Sequence, residues 1–185
     1  MKKIIIIAAA FIGFTTAANA QSNASGAASQ TVQLSLSNAL EITFTGNNST
    51  NGSTVTLPFT TVNDYANGVE STDQEIKVRS NKDFTVTVKT STATFNVTNG
   101  QNTTTSTMPA STLGVVVSAN TTGGSLGTGF SASSYKALSS NAATIISGAD
   151  RGGNQKFSVK YKATPGFAYP AGTYTTDVVY TATQQ

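Results

Sequence analysis

The side chains of this sequence that could do acid–base or ligand chemistry are eight carboxylates: Glu41, Asp64, Glu70, Asp73, Glu75, Asp83, Asp150 and Asp177. The chain has no histidine and no cysteine. That removes the usual general base, the commonest metal-binding nitrogen and the thiolate nucleophile. The many serines have no histidine to activate them. Two carboxylates alone can hydrolyse a glycosidic bond, but Glu41 and Asp177 fall on the polar side of alternating segments, where a solvated charge is expected. Asp64, Glu70, Asp73 and Glu75 gather around one turn. Their oxygens suit calcium, without the regular Asp-x-Asp spacing of a calcium loop. The expectation is no catalytic residue, no enzyme activity and no cofactor, with calcium the one ion left open. Stacking is the remaining chemistry: Tyr65, Tyr135, Phe167 and Tyr169 lie in or beside loops and are the candidate ligand-contact aromatics for a sugar. The competing role for Phe167 and Tyr169, on either side of a Pro/Gly turn, is to cap the end of the core.

Those residues are positioned by short alternating segments, the pattern of half-buried strands. Val32, Leu34 and Leu36 share one face over residues 31–37. Leu40, Ile42 and Phe44 do so over 40–45, and Val55, Leu57 and Phe59 over 54–61, where Pro58 argues for an edge strand or a bulge. Further strands are expected at 74–80, 83–89, 93–98, 113–118, 155–162 and 173–183. The link at Asn81 and Lys82 suits a hairpin or a kink. Residues 113–118 are continuously apolar, as for a strand buried on both faces. Residues 99–111 and 118–134 read as polar loops. Tyr135, Leu138, Ala142, Ile145 and Ile146 stand near helical spacing, so 135–147 is the one candidate helix. Eight or nine strands with at most one short helix predict an all-β, Greek-key sandwich of the Ig or pilin-like kind.

The ends bound where such a domain works. Lys2 and Lys3, the apolar run 4–14 and the small-x-small site at Ala18, Asn19 and Ala20 read as a Sec-type signal peptide over residues 1–20. The run is too short to span a bilayer, which needs about 20 residues, and no later segment is apolar enough, so no membrane span is expected. Residues 21–30 form a small, polar, flexible lead, and 31–185 a single sandwich domain. The destination is periplasmic, cell-surface or extracellular. Losing Lys2 and Lys3 leaves nine basic residues against eight acidic ones. A nearly neutral chain gives no electrostatic reason to bind nucleic acid. With no cysteine, stability must come from packing and strand pairing.

The segment Pro170-Ala171-Gly172-Thr173-Tyr174-Thr175-Thr176-Asp177-Val178-Val179-Tyr180 carries a resemblance. It looks like the closing strand of spore-coat-U and archaic chaperone–usher pilin domains, and is similar to that of WxL-type wall-associated domains. Pilins place a glycine fourteen residues from the end, then alternating residues, then a penultimate aromatic. Gly172 stands at that place, with Tyr174, Val178 and Tyr180 in register. Gln184 replaces the aromatic, and the pilin disulfide and the Trp-x-Leu motifs are absent. The match covers about fifteen residues, and the whole chain resembles the small secreted proteins of Bacteroidetes-type bacteria. The resemblance implies a sandwich completed by an extended segment of a neighbouring subunit. Val32, Leu34 and Leu36 form either that donor or the protein's own first strand. The expected role is a non-enzymatic structural or adhesive subunit whose partners are like subunits, with a carbohydrate- or peptidoglycan-binding module as the alternative and cell-surface glycans as its partners.

Overall fold

A computed structural model of the chain describes residues 28–45, 54–99 and 102–185. The chain divides into two units, Met1–Ser35 and Leu36–Gln185. In the first, the described residues 28–35 are exposed and form neither helix nor strand. The regular structure of the second is mainly strands: β1 (Leu40–Thr45), β2 (Val69–Glu70), β3 (Gln74–Ser80), β4 (Phe84–Thr90), β5 (Thr94–Asn99), β6 (Asn102–Pro109), β7 (Leu113–Asn120), β8 (Ser125–Leu126), β9 (Lys136–Ala137), β10 (Ala143–Ala149), β11 (Gly152–Ala163), β12 (Thr173–Thr175) and β13 (Val178–Gln184). It is the expected all-β sandwich, more finely divided because β2, β8, β9 and β12 have three residues or fewer.

Every pairing is antiparallel. One sheet runs β1-β3-β11-β7-β9, with β2 also on β11; a second runs β13-β4-β10-β8; a small third runs β12-β5-β6. β3 and β4 show how alternation builds this. Gln74, Ile76, Val78 and Ser80 are buried on β3, and Phe84, Val86, Val88 and Thr90 on β4. Their short link is not a hairpin, because β3 pairs with β1 and β11 whereas β4 pairs with β13 and β10. The turn carries the chain from one sheet to the other, and both apolar faces meet in one core with Val115, Val117, Ile145, Ile146, Phe157 and Val159. β7 is buried on both faces, as its continuous apolar run predicts.

Several local expectations give way to tertiary context. Residues 135–147 are not a helix but β9, a link and β10. Thr144, Ile145 and Ile146 are β-branched and poor helix formers. A register shift between Thr144 and Ile146 lets both isoleucines bury completely, which imitates helical spacing. The loop expected over 99–111 contains β6, which pairs with β5, and that over 118–134 holds β8, which pairs with β10. The final strand is two strands: β12 pairs with β5 and β13 with β4, with Thr176 and Asp177 between them. Residues 54–61 form no strand, yet Val55 and Leu57 still pack on the core.

Two contacts close the sandwich. The Tyr161 hydroxyl on β11 meets that of Tyr180 on β13 at 3.0 Å, joining the two large sheets. Burial pushes Tyr161 up to about 12 and Tyr180 well above its ordinary value. An unfolded tyrosine releases its proton near 10, so the stability that depends on the neutral hydroxyls is complete below that pH. It falls as the pH rises from 10 through 12, on the order of 2 kcal/mol for Tyr161. Urea melts between pH 8 and 12 should show this decline. Titration of all six tyrosines near pH 10 in the folded protein, read by tyrosinate absorbance, would contradict it. At the other end of β13, the Gln184 amide donates to Ala39 O at 2.8 Å, Ser80 Oγ at 3.0 Å and Asn81 Oδ1 at 3.1 Å. A neutral hydrogen bond is worth about 1 kcal/mol. Gln184→Ala is therefore expected to cost about 1–2 kcal/mol, and Gln184→Glu at least as much because a carboxylate cannot donate; denaturant midpoints read both.

Candidate functional site

Two surfaces bring together the residues singled out by the sequence. The first lies at the edges of β1 and β13. Residues 31–37 form no strand, and Val32, Leu34 and Leu36 are 76%, 80% and 87% exposed. Asn81 holds the stretch that follows. Its side chain donates to Ser37 O at 2.8 Å and accepts from Ala39 N at 2.9 Å. β1 then begins at Leu40.

Among the described strands β1 pairs only with β3, and β13 only with β4. Both are therefore edge strands, each with one row of backbone donors and acceptors outside any ladder, which is the template another strand requires. The two edges lie together: Phe44 of β1 meets the Tyr180 ring edge-on at 6.0 Å. Leu40 and Phe44 of β1 and Val179 of β13 are exposed large apolar side chains along them. Of the closing motif, Tyr174 packs edge-on against Tyr169 at 6.3 Å and donates its hydroxyl to Pro170 O at 2.9 Å. Val178 and Tyr180 reach the core, and Gly172 lies in the exposed turn before β12. Tyr169 is thus part of the corner, packed partly into the core.

The second surface is aromatic, and a short helix that the sequence reading placed in a turn builds it. Helix α1 (Val62–Asn67) begins on a capping box. The Asp64 carboxylate accepts from Thr60 N at 2.8 Å and Thr61 N at 2.7 Å, while Asp64 N donates back to Thr61 Oγ1 at 3.3 Å. These backbone donors hold Asp64 below its ordinary range. The signal was present as Thr61-x-x-Asp64, a shortened form of the usual Ser/Thr-x-x-Glu box. Gly68 ends the helix at φ +79°, and a β-carbon there would sit 2.6 Å from Ala163 O. Only glycine allows that approach, which brings α1 against the end of β11. Tyr65 then stacks on Phe167 with centroids 5.6 Å apart and planes 22° apart, and Phe59 tilts against Tyr65 at 5.4 Å.

Tyr135 is not one of the stacked rings. It lines a cavity of about 140 Å³ with Gly114, Lys162, Thr164 and others. Its hydroxyl bonds to Glu70, and that bond, assisted by Lys160 at 3.4 Å, holds Glu70 low. Burial and the Glu70 carboxylate push the Tyr135 hydroxyl up.

The turn carboxylates do not converge. Asp64 caps α1, Glu70 takes Lys160 and Tyr135, and Asp73 accepts from Ser118. Glu75 pairs with Lys156 at 3.0 Å and Thr45 at 2.8 Å. Among the described residues no three such groups are placed to hold a metal ion, and no helix is long and apolar enough to cross a membrane. Glu41 pairs with Arg79 of the neighbouring strand β3 at 3.5 Å, and Asp177 accepts from Ser91.

Fold and surfaces together define an antiparallel β-sandwich with two adjacent edge strands and an exposed aromatic stack. No protein-family model matches the chain, and no curated protein matches it.

Proposed function

We propose that this chain is a non-enzymatic, exported structural subunit that assembles with copies of itself on the cell exterior by strand addition. The observation that carries the reading is the exposure of Val32, Leu34 and Leu36. Three large apolar side chains at strand spacing, each three-quarters or more exposed, are available to another chain. Fully burying such side chains is worth about 1.5–3 kcal/mol each. Among the described strands, the edges of β1 and β13 supply the matching half: backbone groups with no neighbouring strand beside Leu40, Phe44 and Val179. An extended 31–37 segment from a neighbour would gain ladder hydrogen bonds along such an edge and seat alternate side chains over it. The likeness of the 170–180 segment to pilin closing strands points the same way, and the signal-like residues 1–20 support export from the cytoplasm.

The test is an immunoblot of surface extract from cells that make the protein, run in SDS with and without boiling. A ladder of high-mass bands that collapses to monomer on boiling is expected. A single monomer band in both lanes would overturn the reading.

A further inference from the structure

The geometry points to a carbohydrate-binding site at the end of β11, where the Tyr65–Phe167 stack adjoins the cavity lined by Tyr135, Lys162 and Thr164. It is independent of the assembly edges. Phe167 is 70% exposed although its ring is held by stacking on Tyr65. A large ring fixed in place and left in water loses mobility without gaining burial, which suits a platform for a ligand better than a core cap. Val62, on the first turn of α1, is 73% exposed and extends the apolar surface.

The surroundings narrow the ligand. The pairing of Glu70 with Lys162 and Val69 with Ala163 brings α1 and the 164–169 loop side by side. Thr164 belongs to both features: it lines the cavity, and its methyl group lies beside Gly68. An aromatic surface thus lies near a small recess lined by Tyr135, Lys162 and Thr164, where the Tyr135 hydroxyl is bonded to Glu70. The recess, at about 140 Å³, has room for several waters or one sugar ring. A pyranose has the complementary anatomy, with an apolar C–H face to lie on a ring and hydroxyls to enter the recess. A protein partner would need about 800 Å² on this side, far beyond two exposed side chains. Around the recess the Glu70 and Asp73 carboxylates offset the Lys160 and Lys162 ammoniums, so a neutral sugar fits better than an anionic one.

The experiment is titration calorimetry of the purified chain against neutral hexasaccharides of glucose (α- and β-linked), mannose and N-acetylglucosamine. At least one should bind. Phe167→Ala should weaken that binding at least tenfold, and Tyr135→Phe, which removes only a hydroxyl, about threefold. The exposed position of Phe167 means that its variant should keep the unfolding curve of the parent. No binding across the set, or equal affinity in Phe167→Ala, overturns the proposal, as does capture of lipid vesicles with no sugar bound.

Discussion

Replacing Leu34 by aspartate should abolish the boiling-sensitive ladder and leave a monomer that unfolds like the parent. Leu34 is the central residue of the exposed triad and is 80% exposed in the isolated chain, so its replacement removes little buried surface from the monomer. In a strand-exchanged assembly the same side chain is covered, and a carboxylate there must be desolvated without a partner, at a cost of several kcal/mol. Losing about 4 kcal/mol from each junction lowers its equilibrium constant by roughly a thousandfold. The control is Gln33→Asp, whose side chain lies on the opposite face of an alternating segment and should leave assembly intact. Size-exclusion chromatography of both variants separates the cases. A Leu34→Asp protein that still forms the ladder would show that residues 31–37 are not the donor.

Phe84→Ala is expected to have the largest effect on stability. Phe84 is fully buried at the start of β4 and belongs to the cluster shared by both large sheets. Deleting a core phenylalanine costs about 3–5 kcal/mol, from lost transfer energy and from the cavity left behind. The whole stability of a domain this size is about 5–15 kcal/mol, and no disulfide restrains the unfolded chain. Urea unfolding should show the midpoint falling by about a fifth or more. A change below about 1 kcal/mol would mean that the two sheets do not pack through Phe84.

Much of this architecture was legible in period-two alternation. Residues 40–45, 74–80, 83–89, 93–98, 113–118 and 155–162 all became strands close to their expected bounds, because each carries its apolar residues on one face or, at 113–118, on both. Sheet assignment was not legible. The link after Ser80 suits a hairpin or a kink in sequence, and only packing shows that Phe84 starts a strand of the other sheet. The helix expected at 135–147 failed for a related reason, since a bulge that buries Ile145 and Ile146 together mimics the spacing of a helix. Asp64 in place of a longer acid hid α1. Of the candidate aromatics, Tyr65 and Phe167, some hundred positions apart, were brought together by the short β2–β11 pairing (two residue pairs) that carries no strong pattern of its own. Tyr169 went to a corner and Tyr135 to the neighbouring recess.

The crossing of the chain between sheets after Ser80 also governs when the molecule can fold. β4 cannot complete its pairing until β13 arrives; at the end of that pair, Gln185 bonds to Thr85, 100 residues earlier. Folds dominated by such distant pairings reach the native state in milliseconds to seconds, far more slowly than helical bundles. A chain threaded outward from its N-terminus would emerge with β1, β3 and β4 exposed and unfinished until Val178–Gln184 had followed. During that interval its open edges are available to any extended segment nearby. Timing, as well as affinity, would then decide whether an edge meets its own chain or a neighbour.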